Sequence, residues 1–533
     1  MKLERACSSI FLLSNCTQAF GLNQVQRRLI NSKTPQLEWA PCGNLELEEY
    51  EKTFLNISEC AKLPVPLDYQ DKCGEKIDLT LIRIKATAQP SKGSVLLNPG
   101  GPGLSGIQFV TTAGKLYQEV LGGEYDLVSW DPRGSGTGRT IPFTCQKSES
   151  TKSRRGINYP LPHDILPQQD LWGEVKGGMS DDFGNFASDC EASMRKYGSH
   201  MGTVTAARDM LSIVDSLQEG GRLKYWGVSY GAILGQYFAA MFPDRFDRML
   251  LDSIPRLDDY LSGTWLTQTR DTEALLKVVF DYCVKAPHGC ALATHNGKDT
   301  TPDSLMESTK KLFEEAANVT VPLDAKVPEA IDVQLGQTTV ARKLKELILT
   351  NLYSPATMGK IPEILQAAFN GEWKRIMEEP QTDIWGPWNL GRHSTFAISC
   401  GDSPYRVESV DDLYPMVQTS LAQNSFADFS AIRRLACTRW PFKASEMMDA
   451  NKILDVKTSK PILFTNIRYD PVTPLVGAYT SASRFKGSGF LLHDGVGHGV
   501  MNHPSKCIIQ AIRRYFDGGT LPPTGTICKP GMK

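Results

Sequence analysis

The sequence predicts an α/β fold, a mostly parallel sheet flanked by helices and interrupted by a large helical insertion. Three observations carry this. Short apolar runs alternate with helix-period stretches between residues 77 and 252. The alternation stops after Pro255, and residues 256–445 read mostly as helical patterns joined by polar loops. Strand character then returns at Pro461–Thr465 and Gly489–His493. One sheet split by an insertion is the economical reading, with core segments at 37–255 and 446–533 and a cap at 256–445. An insertion rooted where strands end lies over whatever those ends present. The plainer alternative is an independent domain with no part in the site.

Taken in order, Met1–Arg5 followed by Ala6–Leu13 resembles a signal peptide over residues 1–20, with an apolar core broken by Cys7, Ser8 and Ser9. Asp78–Ile84 alternates polar and apolar residues, as a half-exposed strand should. Ser94–Leu97 and Asp126–Trp130 are continuous apolar runs ending in glycine- and proline-rich loops, the mark of buried parallel strands. Thr203–Leu217 places Met210, Ile213, Val214 and Leu217 on one helical face, with Thr203 as cap and Gly220–Gly221 as stop. Leu223–Trp226 is a strand, Ala232–Ala240 a helix ending at Pro243, and Arg248–Asp252 the next strand. Inside the insertion, Thr272–Val284 and Ala341–Leu352 are helices. Trp385-Gly386-Pro387-Trp388 offers aromatic surface, either for a substrate pocket or for packing within the cap.

Composition narrows the function classes. The formal charge is −1, and no long basic or acidic block occurs, which argues against nucleic acid or an anionic membrane as partner. No apolar run reaches the length of a membrane span. Of thirteen cysteines, eleven lie from Cys42 onward, and none forms a C-x-x-C, so zinc and thioredoxin-type chemistry have no support. Cys283/Cys290 and Cys507/Cys528 are spaced to close short surface loops; the odd total leaves one thiol over, expected to be Cys73. With the sequons Asn56-Ile57-Ser58 and Asn318-Val319-Thr320, this cysteine usage favours the secretory route over a cytosolic protein with scattered buried thiols. The sequence carries no signal of oligomeric state.

The chemistry centres on Gly227-Val228-Ser229-Tyr230-Gly231 between a strand and a helix. A G-x-S-x-G there forces a sharp turn that holds the serine hydroxyl out above the sheet. Chance also supplies such pentapeptides, and Ser229 as an ordinary helix N-cap is the plainer reading, so the other parts must follow in order. Asp470 lies just beyond a strand end, where the acid of a Ser–acid–His order belongs. His498 follows 28 residues later, in the loop Gly497-His498-Gly499. His493 lies within a strand, His503 precedes a proline, and Asp494 is too near His498 in sequence to reach around its ring. An oxyanion hole needs two backbone N–H groups. Tyr230 supplies one, and Gly101, in the loop Asn98–Gly106, is the choice for the other, since Pro102 cannot donate. That loop lacks the lysine of a P-loop, so nucleotide binding is not implied. The constellation calls for no metal and no organic cofactor.

Together these motifs resemble the tripeptidyl-aminopeptidase-like branch of the α/β-hydrolases, close to the proline iminopeptidases. The resemblance rests on Asn98–Gly103, Trp130-Asp131-Pro132-Arg133-Gly134, Trp226–Ala232, Phe242-Pro243-Asp244-Arg245, Asp470-Pro471-Val472-Thr473-Pro474, Gly497–Gly499 and the tail from Asp517 to Cys528. It implies an α/β-hydrolase fold and a serine hydrolase working through Ser229, His498 and Asp470 with an acyl-enzyme intermediate. It also implies peptide substrates cleaved by an exopeptidase that releases N-terminal residues or short peptides. The alternatives are a hydrolase of an ester, lactone or amide in a small natural product, and a non-catalytic binding protein of the same fold. Two departures stand out. Asp252-Ser253 replaces the branch's usual Asp-Gly, and the cap shows no clear acidic pair for a substrate's α-amino group, with Asp402 the one candidate.

Overall fold

The computed structural model describes residues 36–43, 57–71, 73–134, 139–143, 145, 171–286, 288–319, 321, 340–379 and 392–531. The signal-like segment, Asn56 and Trp385–Trp388 lie outside the described residues. The strands of the main sheet are β1 (Ala40–Pro41), β2 (Ser58–Pro66), β3 (Lys76–Ile84), β4 (Ser94–Asn98), β5 (Asp126–Trp130), β6 (Leu223–Val228), β7 (Phe246–Asp252), β8 (Leu463–Tyr469), β9 (Gly489–Val496) and β10 (Ile527–Cys528). They form one ten-stranded sheet in the order β1-β2-β3-β5-β4-β6-β7-β8-β9-β10. The first three strands and the β3–β5 pair are antiparallel; from β5 to β10 every neighbouring pair is parallel. The predicted α/β class is the one observed.

The apolar runs become central strands because both sheet faces are covered. All five residues of β4 are buried. Val95 and Leu97 belong to one core cluster with α1 (Gly106–Val120) and the C-terminal helix Lys506–Gly518. Leu96 points into the other cluster, with α3 (Thr203–Leu217) and α4 (Tyr230–Met241). The same logic corrects the half-exposed reading of Asp78–Ile84: Leu79 and Leu81 enter one cluster and Ile82 and Ile84 the other. The strand is third of ten, so its polar Thr80 is buried too.

The chain returns to opposite sides of β4, with β5 on one flank and β6 on the other. At such a switch point the loops after β4 and β6 open side by side at the carboxyl edge of the sheet. Between β7 and β8 the described residues include α5 (Thr272–Lys285), α6 (Pro302–Ala317), α7 (Val340–Asn351), α8 (Lys360–Phe369), α9 (Arg392–Asp402) and α10 (Asp428–Thr438). Helical packing is not confined to that stretch. α2 (Ser180–Met194), which precedes β6, sets Phe183 and Phe186 against Phe396 of α9.

Disulfides join Cys42–Cys60, Cys145–Cys190, Cys283–Cys290, Cys400–Cys437 and Cys507–Cys528, which includes both pairs read from spacing. Cys73 is not the leftover thiol: it is disulfide-bonded, to a partner outside the described residues. Pairing follows spatial approach of the Cα atoms, which sequence spacing shows only for short loops. No helix of the described residues is long and apolar enough to cross a membrane.

Candidate active site

Ser229 stands at the junction of β6 and α4 with φ 58° and ψ −124°, a left-handed conformation that costs energy for a residue with a Cβ. It occupies the N-cap position but makes no side-chain capping bond, so the plainer reading of this serine does not hold. The close crossing explains the flanking glycine: a Cβ at Gly231 would sit 2.6 Å from the Asn98 carbonyl oxygen.

Asp470 follows β8 directly and is fully buried. Its Oδ1 accepts the N–H groups of Val472 at 3.0 Å and Thr473 at 2.8 Å. The His498 Nδ1 lies 2.8 Å from Asp470 Oδ2 and 3.1 Å from Oδ1, with the Thr473 hydroxyl 3.3 Å away. A carboxylate opposite Nδ1 fixes the proton there, so Nε2 carries the lone pair of the neutral ring. Nε2 is buried and has no hydrogen-bond partner among the described residues. The structure therefore joins the predicted acid and base directly, while no hydrogen bond links Ser229 to that nitrogen in the resting enzyme. Resting contacts of this kind commonly tighten when substrate binds. The rivals lie elsewhere: Asp494 pairs with Arg468, and His493 bonds the His503 carbonyl.

The loop after β4 closes against the serine turn. At Gly100 (φ 99°) a Cβ would lie 2.5 Å from the Val228 carbonyl oxygen and 2.9 Å from the Tyr230 nitrogen, so only glycine lets the strands of this crossing meet. The backbone N–H groups of Tyr230 and Gly101 have no acceptor among the described residues. Tyr230 heads α4, where first-turn donors are unsatisfied within the helix. The Trp-Asp-Pro-Arg-Gly stretch supports this loop. Asp131 Oδ1 accepts the Ser105 hydroxyl at 2.5 Å and the Ile107 N–H at 3.2 Å, holding the start of α1. Arg133 is buried and pairs with Asp209 at 2.7 Å while donating to the Leu67 and Pro66 carbonyls.

Sequence reasoning passed over two groups beneath His498. Asp252, at the end of β7, accepts the Val500 N–H at 3.0 Å and the Thr465 hydroxyl at 3.1 Å, and its carbonyl accepts the Ser229 N–H at 2.9 Å. Burial pushes its carboxyl up to about 7, an effect opposed by the Val500 N–H and by the Thr465 hydroxyl. Ser253 holds φ 50°, and its Oγ accepts the Gly499 N–H at 2.8 Å. The departure from Asp-Gly was the available signal: a side chain kept at a left-handed position has a use there. Asp402, read as a candidate for an α-amino group, is instead spent internally. It accepts the Thr203 N–H at 3.1 Å and the Tyr260 hydroxyl at 2.6 Å, and burial raises its carboxyl to about 6. It thereby caps α3 from another helix, so Thr203 is the first helical residue rather than the cap, and Gln218 in a left-handed conformation ends the helix ahead of Gly220. Among the described residues no cluster of His, Cys, Asp or Glu is arranged to hold a metal.

Fold and geometry are those of an α/β-hydrolase, and the comparisons agree. Residues 423–528 match the family model described as TAP-like protein. Over 97% of this chain and 95% of the relative, the sequence is 26% identical to the serine protease Hip1 of Mycobacterium tuberculosis. It is 27% identical to the tripeptidyl aminopeptidase of Streptomyces lividans over 89% of this chain and 84% of that one. It is 25% identical to carboxylesterase B of Mycobacterium tuberculosis over 93% and 90% respectively. The resemblance read from the motifs is thus borne out, and the chain is a serine hydrolase of α/β-hydrolase fold.

Proposed function

We propose that this protein is a serine exopeptidase that releases N-terminal residues or short peptides, with Ser229, His498 and Asp470 as its catalytic triad. The observation that carries the reading is the buried His498–Asp470 pair at 2.8 Å, whose free Nε2 shares one strand-end edge with Ser229. His498 takes the Ser229 proton as the oxygen attacks the substrate carbonyl. The carbonyl oxygen moves onto the N–H groups of Tyr230 and Gly101, and His498 then protonates the leaving amine. Water repeats the cycle on the acyl-enzyme. Asp252 and Ser253 are positioning residues, since they hold the backbone on the far side of His498. Peptide as substrate is supported by the likeness to Hip1 and to the tripeptidyl aminopeptidase. Residues 256–445 act as the cap that selects it.

The second reading, an ester, lactone or small amide as substrate, is favoured by the likeness to carboxylesterase B. Matched peptides with free and acetylated N-termini, set beside p-nitrophenyl esters, separate the two. The exopeptidase cleaves only the free-amine members; turnover of esters with every free-amine peptide inert would establish the other reading. Labelling by a fluorophosphonate probe, abolished in Ser229→Ala, is expected under both and absent from a non-catalytic protein. The disulfides and the exposed Asn318 support export through the secretory route. N-terminal sequencing of the secreted protein tests that.

A further inference from the structure

The insertion holds a cation that has no counter-charge among the described residues. Arg433 lies on α10, half-buried, with its guanidinium carbon 4.8 Å from the ring centroid of Trp265. Among the described residues it makes no ion pair and no hydrogen bond, and its ionisable neighbours are Tyr353 and Tyr260 alone. Those two tyrosines mark its position. The Tyr353 ring packs 5.2 Å from that of His498, and its carbonyl accepts the His498 N–H at 2.8 Å. The Tyr260 ring lies 5.8 Å from that of Tyr230, the residue after Ser229.

The acids of this wall are already engaged. Asp428 on the same helix pairs with Lys345 at 3.4 Å, Glu273 pairs with Lys310 at 2.9 Å, and Asp402 is held by Thr203 and Tyr260. A guanidinium stays protonated even where burial depresses its pKa, as it does here. A cation left partly desolvated without a counter-charge weakens the fold, and such groups cluster where a ligand supplies the missing charge. The planar fork of donors matches a carboxylate better than any neutral group.

We infer that Arg433 is a specificity-determining residue that receives a substrate carboxylate, so that the preferred substrates are acidic peptides. The peptide part rests on the proposed exopeptidase reading; the preference for an anionic group holds for either leaving group. The carboxylate comes from an acidic side chain near the scissile bond or from the C-terminus of a short peptide. Among the described residues Asp402, Asp428 and Glu273 already have partners, which matches a site selecting anionic rather than cationic features.

The test uses the full-length protein and matched substrate pairs. One series carries Glu or Gln at each of the first three positions, a second compares short peptides as C-terminal acids and amides, and a third compares p-nitrophenyl hydrogen glutarate with p-nitrophenyl valerate. Wild type is expected to favour the anionic member of at least one pair by roughly tenfold or more in kcat/KM, mainly through KM. Arg433→Gln is expected to bring that pair to within about threefold while leaving its neutral member unchanged, Arg433→Lys to retain part of the preference, and Arg433→Glu to reverse it. Equal treatment of both members of every pair by wild type overturns the inference. So does an equal loss on both members in Arg433→Gln, because the guanidinium then only packs on Trp265. Should that variant fail to fold, the wild-type preference and Arg433→Lys decide. If the ester pair shows the preference while no peptide is cleaved, the exopeptidase reading fails and the assignment of Arg433 stands.

Discussion

In the proposed triad Asp470 acts through geometry as much as charge, because its bond to Nδ1 sets the tautomer and the plane of the His498 ring. Asp470→Asn keeps the volume but offers the ring the wrong hydrogen-bond partner, and kcat is expected to fall by about 10³–10⁴ in a steady-state assay. Ser253→Gly separates strain from positioning. It relieves the left-handed backbone yet removes the acceptor for the Gly499 N–H, so kcat should fall roughly 3- to 10-fold while the melting temperature holds or rises. A variant that loses stability and keeps full kcat would show that the hydroxyl serves packing alone. Asp252 carries a pH signature. Its carboxyl is raised in the folded state from 3.8 to about 7, so the folded protein holds the extra proton across that window and loses stability as pH rises through it. Asp252→Asn, neutral throughout, should therefore gain on wild type between about pH 5 and about pH 8, by on the order of 2–4 kcal/mol in urea denaturation. A wild-type-to-variant difference that stays flat with pH contradicts this.

At the scale of elements, the cap and the core share their fastenings. Asp402 at the end of α9 binds the first turn of α3, the Thr395 hydroxyl donates to the Pro102 carbonyl in the loop after β4, and the Tyr353 carbonyl holds His498. The cap cluster of Leu275, Leu347 and Phe426 also takes in Val472 and Val496, which flank Asp470 and His498. Asp402→Ala strips three buried donors of their acceptor and should cost about 2–4 kcal/mol. Because Thr203 also bonds the Tyr230 hydroxyl, kcat should fall along with the denaturation midpoint. Lower stability with unchanged kcat would show that the network does not reach the serine turn.

For the whole molecule, the buried Arg133–Asp209 pair links β2, the loop after β5 and α3 through a single guanidinium. Asp209→Ala leaves that charge buried without a counter-ion and is expected to cost about 3–5 kcal/mol in global unfolding. The disulfides close loops with separations of 7 to 45 residues, and the Cys400–Cys437 link ties α9 to α10, the helix that bears Arg433. The Cys400→Ser, Cys437→Ser double variant should lose about 2–4 kcal/mol of stability.

The legible parts were those whose physics is local. Four- or five-residue runs dominated by apolar side chains fit best in a sheet covered on both faces, which placed β4 and β5 to within a residue. A serine between two glycines at a strand end, and an acid and histidine each just past a strand, follow from the short reach of a chain leaving a sheet edge. Asp252 and Ser253 were visible only as a departure from Asp-Gly, and their contacts, like those of Arg433 and the pairing of Cys73, were not legible, because nothing near them in sequence marks their partners. By itself the sequence determined the sheet, the serine turn and the positions of Asp470 and His498 just past strand ends, since each is set by residues within a few positions. Only the tertiary structure decided what those groups lean on. Asp402 passed from a substrate contact to a cap for α3, and Arg433 stands without a counter-charge among the described residues, because burial and pairing depend on helices brought together from distant parts of the chain.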